Sequence, residues 1–276
     1  MTKTVSVIIP TYKRTEELKR SIKTVINQTY PELIEIIIID DSPKQINKEF
    51  FQNFSKEKNR KIKYIYKGKK EGAPKARNIG IQEAKGEYIA FLDDDDEWHP
   101  KKTEKQVKTM EKNNNIGLVI CYSLDKRFGK ERISKPPEKI SHETILKAFN
   151  LSSSSSYLVR KNILEKTGYF DTNLPSAQEY DLAIRISKHY LVYCIPEVLM
   201  TQNTTKDQIS ENWNRKIKGL MGIYSKHRQE YHSIKTFDRF LNHIKFIGML
   251  ELFTLGYIIG NRIYSIIIPA KEIYEK

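Results

Sequence analysis

The sequence predicts an α/β fold: a mainly parallel sheet with helices on both faces, followed by a helical C-terminal extension. Three observations carry that expectation. Short apolar runs alternate with segments of helical spacing through residue 122, the signature of strands joined by crossover helices. Several runs are almost wholly apolar, as strands covered on both faces are. Two runs end in carboxylates, Asp40–Asp41 and Asp93–Asp96, and open α/β sheets collect ligands at the carboxyl ends of their strands.

Residues 5–9 form a short apolar strand that Pro10 ends. Thr15 is placed to cap the next helix, with Glu16 and Glu17 in its first turn. Leu18, Ile22, Val25 and Ile26 recur at helical spacing until Pro31 breaks the chain. Residues 33–39 are apolar except Glu35 and read as a second buried strand. Residues 45–58 are polar and read as a helix, and residues 62–66 alternate as a third strand. Residues 73–84 read as a helix between Gly72 and Gly86. Residues 88–92 form the fourth strand and lead into the aspartates, Pro100 suits the first turn of another helix, and residues 116–122 form a fifth strand.

Residues 123–156 are less regular, and the serine run 152–156 reads either as a loop or as a serine-bearing strand leading into Tyr157, Leu158 and Val159. Residues 161–168 read as a helix ending at Gly168. Residues 180–190 read as a helix, although Leu182, Ile184 and Ile186 are also spaced as in a strand. From about residue 211 the pattern is helical. These boundaries give a main domain over 1–205, with a half at 1–122 and another at 123–205, and an extension over 206–276. Residues 246–268 are strongly apolar but hold Glu251, Asn261 and Arg262. A spanning helix is disfavoured by those polar groups. A helix lying on a membrane surface and one packed on the main domain or a second subunit remain open, so an oligomer is compatible with the sequence.

At 276 residues and 39% hydrophobic the chain can bury a sizeable core. Its net charge of +14 attracts polyanions. The lysines and arginines are spread along the whole chain, without zinc-finger spacing, zipper heptads or an aromatic RNA-binding signature, so nucleic acid is not an expected partner. Cys121 and Cys194 are the two cysteines, which offer no disulfide framework and fit a reducing compartment. Residues 1–5 lead straight into a strand, so no signal peptide is expected and a cytoplasmic location is.

Four adjacent carboxylates resist ionising together. A hard divalent cation relieves that conflict, and oxygen-rich clusters select Mg2+ and Mn2+. A solvated acidic loop is the plainer reading of such a run, but the strand end in front of it favours the metal. Neighbours in an extended segment face opposite ways, so all four cannot address one ion.

Residues 5–12 (VSVIIPTY), 36–42 (IIIIDDS), 72–80 (GAPKARNIG), 86–100 (GEYIAFLDDDDEWHP), 168–171 (GYFD) and 177–185 (AQEYDLAIR) together resemble, in order and spacing, family 2 glycosyltransferases of the Rossmann-like GT-A fold. The resemblance covers roughly the first two hundred residues. It implies an inverting hexosyltransferase-type enzyme of polysaccharide or glycolipid biosynthesis. Its donor would be a nucleoside-diphosphate sugar, UDP-type first, and its acceptor a glycan or lipid-linked glycan, with Mn2+ or Mg2+ as cofactor. It implies that Asp93 and Asp95 form the D-x-D metal motif, that Asp94 lies near the ribose, and that Asp41 meets the nucleobase packed by Pro10, Thr11 and Tyr12. Arg77 and Asn78 match the A-R-N-x-G element at the diphosphate. Glu179 takes the place of the general base, but the family usually has Glu-Asp where this chain has Gln178-Glu179, and Asp181 is its rival. Trp98 reads as a loop anchor or an acceptor platform, and His99 as structural. A sugar-phosphate nucleotidyltransferase would want a glycine-rich loop after the first strand, where Pro10 to Arg14 contain none. A non-catalytic nucleotide-sugar-binding module is the other alternative. The basic tail makes a membrane surface a candidate partner, peripheral on the inner face of the cell membrane.

Overall fold

Alternation along the apolar strands decides which helix lies on which side of the sheet. The computed structural model describes residues 3–55, 60–126, 131–148, 151–203 and 213–233. In strand β1 (Val5–Thr11), Val7 and Ile9 face one layer and Ile8 the other. Helix α1 (Thr15–Ile26) covers the first layer with Leu18, Ile22, Val25 and Ile26. Strand β2 (Leu33–Asp40) divides likewise, Ile36 and Ile38 toward α1, Ile37 and Ile39 away. Its one charged interruption, Glu35, is buried but accepts from the Ser6 hydroxyl at 2.7 Å and the Lys85 amide at 2.6 Å. Helix α2 (Lys48–Ser55) adds Phe54 to the α1 layer, and β3 (Lys61–Tyr66) ends the sheet on that side. Helix α3 (Ala73–Glu83) lies on the opposite layer, where a Cβ on Gly80 would meet Ile8 Cγ2 at 2.4 Å. Only glycine lets that helix sit so close to β1.

Strand β4 (Tyr88–Phe91) pairs with the other side of β1, parallel to it. Then follow β5 (Glu97–Trp98), α4 (Lys102–Met110), β6 (Ile116–Asp125), β7 (Arg132–Ser134), β8 (Lys139–Ile140), α5 (His142–Ala148), β9 (Leu158–Arg160), α6 (Lys161–Thr167), α7 (Gln178–Ser187), β10 (Leu191–Gln202), α8 (Trp213–Lys226) and α9 (Arg228–Ser233). The sheet order is β3-β2-β1-β4-β9-β6-β10-β5, with β7 beside β6 and β8 beside β10. Strands β3, β2, β1 and β4 are parallel, β9 is antiparallel to both neighbours, and β6 and β10 are parallel to each other. The mainly parallel α/β expectation holds. The chain steps outward from β1 to β3 and then returns to β1's other side, and the carboxyl ends of β1, β2 and β4 meet at that reversal, the place where open α/β sheets bind ligands.

Several boundaries differ from expectation. Strand β1 runs through Pro10 to Thr11, because β4 has ended its pairing at Ile8 and no ladder bond is lost there. Arg14, not Thr15, takes the N-cap of α1, without a side-chain cap bond. Helix α2 begins at Lys48 rather than 45, and Pro100 precedes α4, whose N-cap is Lys101. The serines are neither loop nor strand: Ser154–Ser156 form a 3-10 turn capped by Ser153, whose hydroxyl accepts from the Ser155 amide. Serine hydroxyls compete for local backbone groups and so favour turns. Residues 180–184 are helical and all buried, which erased their helical periodicity. Strand β10 was hidden by Pro196 and Glu197, which its register shift between Ile195 and Val198 absorbs. Among the described residues no helix is long and apolar enough to cross a membrane. Residues 246–268 lie outside the described residues.

Candidate active site

The acidic turn is built from three directions. Beyond β4, the Asp96 amide donates to the Asp93 carbonyl at 3.1 Å and closes a tight turn. From α1, the Ser21 hydroxyl reaches the Asp94 carbonyl at 2.7 Å and the Asp96 carbonyl at 2.8 Å. From the serine turn, Ser155 Oγ accepts from the Asp93 amide at 3.0 Å, and its carbonyl accepts from the Trp98 indole at 2.8 Å. Trp98 is buried in this anchoring role. His99 is exposed, and its Nδ1 accepts from the Lys101 amide.

The carboxylates then diverge. Asp93 is the most open, with its side chain 31% exposed, and it pairs with Arg77 Nη2. Asp94 is buried and accepts from Thr11 Oγ1 at 2.8 Å, the Tyr12 amide at 3.4 Å and Arg14 Nη1 at 3.0 Å. Asp95 Oδ2 accepts from the same Arg14 nitrogen at 2.8 Å. Burial pushes the Asp94 carboxyl up to about 7, against the pull of Arg14. The Arg14 guanidinium is held above its ordinary value, since Asp94 and Asp95 together outweigh its burial.

At the end of β2 the two aspartates have different employment. Asp40 uses both oxygens inside the protein, accepting from the Ser42 amide at 2.8 Å and the Tyr64 hydroxyl at 2.7 Å. Asp41 Oδ2 accepts from the Glu71 and Gly72 amides at 3.1 and 2.7 Å, whereas its buried Oδ1 has no hydrogen-bond partner among the described residues. Burial raises the Asp41 pKa, partly offset by those two amides. Gly72, at φ +92°, is the N-cap of α3 and turns its amide toward that carboxylate. Tyr12, expected beside the nucleobase, has Lys70 Nζ 4.4 Å and Lys13 Nζ 5.3 Å from its ring centroid.

Arg77 is buried on α3 with its guanidinium 5.3 Å from the Phe170 ring centroid. Its Nε has no hydrogen-bond partner among the described residues. Burial opposes its charge, but Asp93 chiefly, with Glu179 and Asp96, holds its pKa up. Arg77 therefore lies in the field of both the acidic turn and Glu179. Asn78 exchanges two hydrogen bonds with the Phe170 backbone, 2.8 Å to the carbonyl and 2.9 Å from the amide. That pairing makes it a brace for the 168–171 loop.

Glu179 stands in the first turn of α7 and is half-buried. Ala177, the N-cap before it, has φ +60°, a left-handed conformation that a non-glycine residue adopts at a cost of about 1–3 kcal/mol. The buried Tyr157 hydroxyl donates to the Glu179 carbonyl at 3.1 Å and fixes this turn. Asp181 is fully buried and committed elsewhere: Arg185, Lys226 and His227 all pair with it within 2.9 Å. Of the two rival carboxylates, Asp181 is the one whose described contacts are all with cations inside the protein.

Among the described residues no three His, Cys, Asp or Glu side chains converge on a common ion. That does not oppose a divalent cation here, since Mg2+-type sites in phosphate-transferring enzymes use one or two carboxylates and take the remaining ligands from water and phosphate. The donor set is all oxygen, with Asp93 partly open at the turn and Asp95 next but one to it. The residues fit the ion.

Sequence reasoning missed Arg14, Ser21, Ser155 and Tyr157. Arg14 alone had a legible signal: a basic pair at the end of β1, opposite a carboxylate run at the end of β4.

The family model for Glycosyl transferase family 2 matches residues 6–171. An uncharacterized glycosyltransferase of Methanocaldococcus jannaschii is 33% identical over 239 residues, 84% of this chain and 78% of its own length. The mannosyltransferase PcManGT from Pyrobaculum calidifontis, solved with GDP-Man and Mn2+, has a TM-score of 0.66 at 17% identity, over 83% of this chain and 65% of that one. S. aureus TarS 1-349 in complex with UDP-GlcNAc has a TM-score of 0.64 at 14% identity, over 94% of this chain and 92% of that one. At those identities the structural likeness speaks for the fold alone, which is the GT-A arrangement.

Proposed function

Because the chain belongs to glycosyl transferase family 2 and is a glycosyltransferase, we propose that it moves a sugar from a nucleoside-diphosphate sugar, UDP-type, to an acceptor hydroxyl of a glycan or lipid-linked glycan, with inversion at the anomeric carbon. The observation that carries this reading is the buried Arg77, paired with Asp93, within the field of Glu179 and with an Nε unpartnered among the described residues. It links the acidic turn and the carboxylate on α7 into one charged site, with a buried donor still free for a phosphate oxygen.

Asp41 Oδ1 accepts an N–H from the nucleobase, the one thing an unpartnered carboxylate oxygen can do with a base edge. Asp93 and Asp95 would hold Mn2+ or Mg2+, which would supply positive charge against the charge that develops on the departing diphosphate. Arg77 adds a second cation to that oxygen cluster. Glu179 accepts the acceptor's proton as its oxygen bonds to the anomeric carbon. The bond to the diphosphate breaks, and its electron pair leaves with the phosphate. A single displacement inverts the centre, and position and electrostatics suffice because the donor is already activated. The charge of +14 and the apolar residues 246–268 support association with the inner membrane face as a further part of this reading.

A donor screen with Mn2+, reading nucleoside diphosphate release with and without a crude lipid acceptor, tests the proposal. Release from a UDP-sugar that Glu179→Gln abolishes supports it. Full release in Glu179→Gln removes Glu179 as the base, and no release from any donor favours a binding role.

A further inference from the structure

Arg14 touches two carboxylates of the acidic turn, 3.0 Å from Asp94 Oδ1 and 2.8 Å from Asp95 Oδ2. The chain takes up unfavourable local structure to put it there. Lys13, just before it, has φ +58°, in the left-handed region, and its amide is tethered to Ser42 Oγ at 2.8 Å. Arg14 is also the N-cap of α1 without forming a cap bond, so a cation sits at the positive end of the helix dipole. Neither feature is needed to start a helix that Thr15, Glu16 and Glu17 would begin well.

We propose that Arg14 is the resident counter-ion of the acidic turn and that a divalent cation must displace it from Asp95. The inference rests on the reading of Asp95 as a metal ligand. Three details make the contact a releasable one. A single nitrogen, Nη1, serves both carboxylates, without the two-pronged grip on one carboxylate that makes arginine pairs strong. The Arg14 side chain is 23% exposed, whereas Arg77 on Asp93 is only 7% exposed. Asp94 keeps Thr11 Oγ1 and the Tyr12 amide when the guanidinium leaves, so it is not stripped of its donors. A dication on Asp95 Oδ2 and a guanidinium in hydrogen-bond contact with the same oxygen repel each other, and the more mobile of the two gives way. Metal binding is therefore set partly by a side chain that touches no substrate. The protein without donor holds metal weakly, and donor phosphates complete the exchange by supplying ligands the turn lacks.

The test measures Mn2+ binding to the whole chain by electron paramagnetic resonance, without any sugar nucleotide. Arg14→Gln is expected to bind Mn2+ at least tenfold more tightly than the unaltered protein, with Arg14→Lys close to unaltered. Unchanged or weaker binding in a folded Arg14→Gln protein overturns the proposal. Asp95→Asn in the same background separates the two ideas. If Asp95→Asn abolishes Mn2+ binding while Arg14→Gln leaves it unchanged, only the displacement fails. If Mn2+ binding survives Asp95→Asn, or no protein binds Mn2+, the metal reading fails with it. Should Arg14→Gln not fold, nitrogen NMR of the Arg14 guanidinium in the unaltered protein decides. Its ion-pair signature is expected to vanish when Mg2+ and UDP are added, and its persistence overturns the proposal.

Discussion

Asp40 and Asp41 are adjacent residues with the same chemistry and opposite fates, because neighbouring side chains at a strand end point to different surroundings. Asp40 answers a backbone amide and a tyrosine hydroxyl, and Asp41 has one buried oxygen unmatched among the described residues. Replacing Asp41 with Ala is expected to weaken UDP binding by about tenfold to a hundredfold, roughly one hydrogen bond to a charged acceptor, read by calorimetry. Asp40→Ala is expected to leave UDP binding near normal and to lower stability by about 1–3 kcal/mol, as Ser42 and Tyr64 lose their acceptor. For Glu179→Gln the expected drop in turnover is about 10²–10⁴-fold with donor affinity kept, which steady-state kinetics beside a binding titration separates from misfolding. The acidic ends of β2 and β4 were legible at this scale because carboxylates at strand ends are conspicuous. The partners of those carboxylates were not, since Thr11 and Arg14 reach them across as many as 83 positions of sequence.

Helix α7 is tied to the elements after it by charge. Asp181 on α7 meets Lys226 and His227 where α8 gives way to α9, and Lys226 also bridges to Asp171 on the 168–171 loop. Burial would raise the Asp181 pKa, but His227, Arg185 and Lys226 pull it down to about 2. Its contribution to stability is therefore complete above its ordinary value of 3.8 and is lost as pH falls toward 2. Asp181→Ala leaves cations facing an empty space and is expected to cost about 3–5 kcal/mol in denaturant unfolding. Lys102 on α4 shows the opposite sign. It is fully buried against the Trp98 ring, 3.8 Å from the centroid, with Gln106 as its acceptor, and burial lowers its pKa to about 8. Between pH 8 and its ordinary value of 10.5 the unfolded chain holds a proton that the native state has released, so stability rises with pH across that window. Lys102→Met is expected to flatten that rise and to add about 1–3 kcal/mol at pH 7, less what the lost cation–π contact contributes. At this scale the early elements were legible from their spacing, whereas β10 and the serine turn were not. A bulge at Pro196 and Glu197 broke the strand pattern, and side-chain capping by Ser153 made a turn where composition alone left loop and strand equal.

The whole molecule brings these parts together through one topological feature, the return of β4 to the free side of β1 after the chain has run out to β3. That reversal places Thr11, Asp41 and the acidic turn at the carboxyl ends of the strands, and α3 and α7 bring Arg77 and Glu179 from the opposite layer. The sequence announced the alternation that makes such a sheet, but not the antiparallel β9 between β4 and β6, which only three residues form. The central claim is that the turn after β4 holds a divalent cation against the donor's diphosphate. Manganese anomalous scattering from crystals grown with UDP and Mn2+ tests it directly. The account predicts one strong peak shared by UDP oxygens and the Asp93 or Asp95 carboxylate. UDP bound at those strand ends with no manganese at those carboxylates, or manganese and UDP lodged elsewhere, would contradict it.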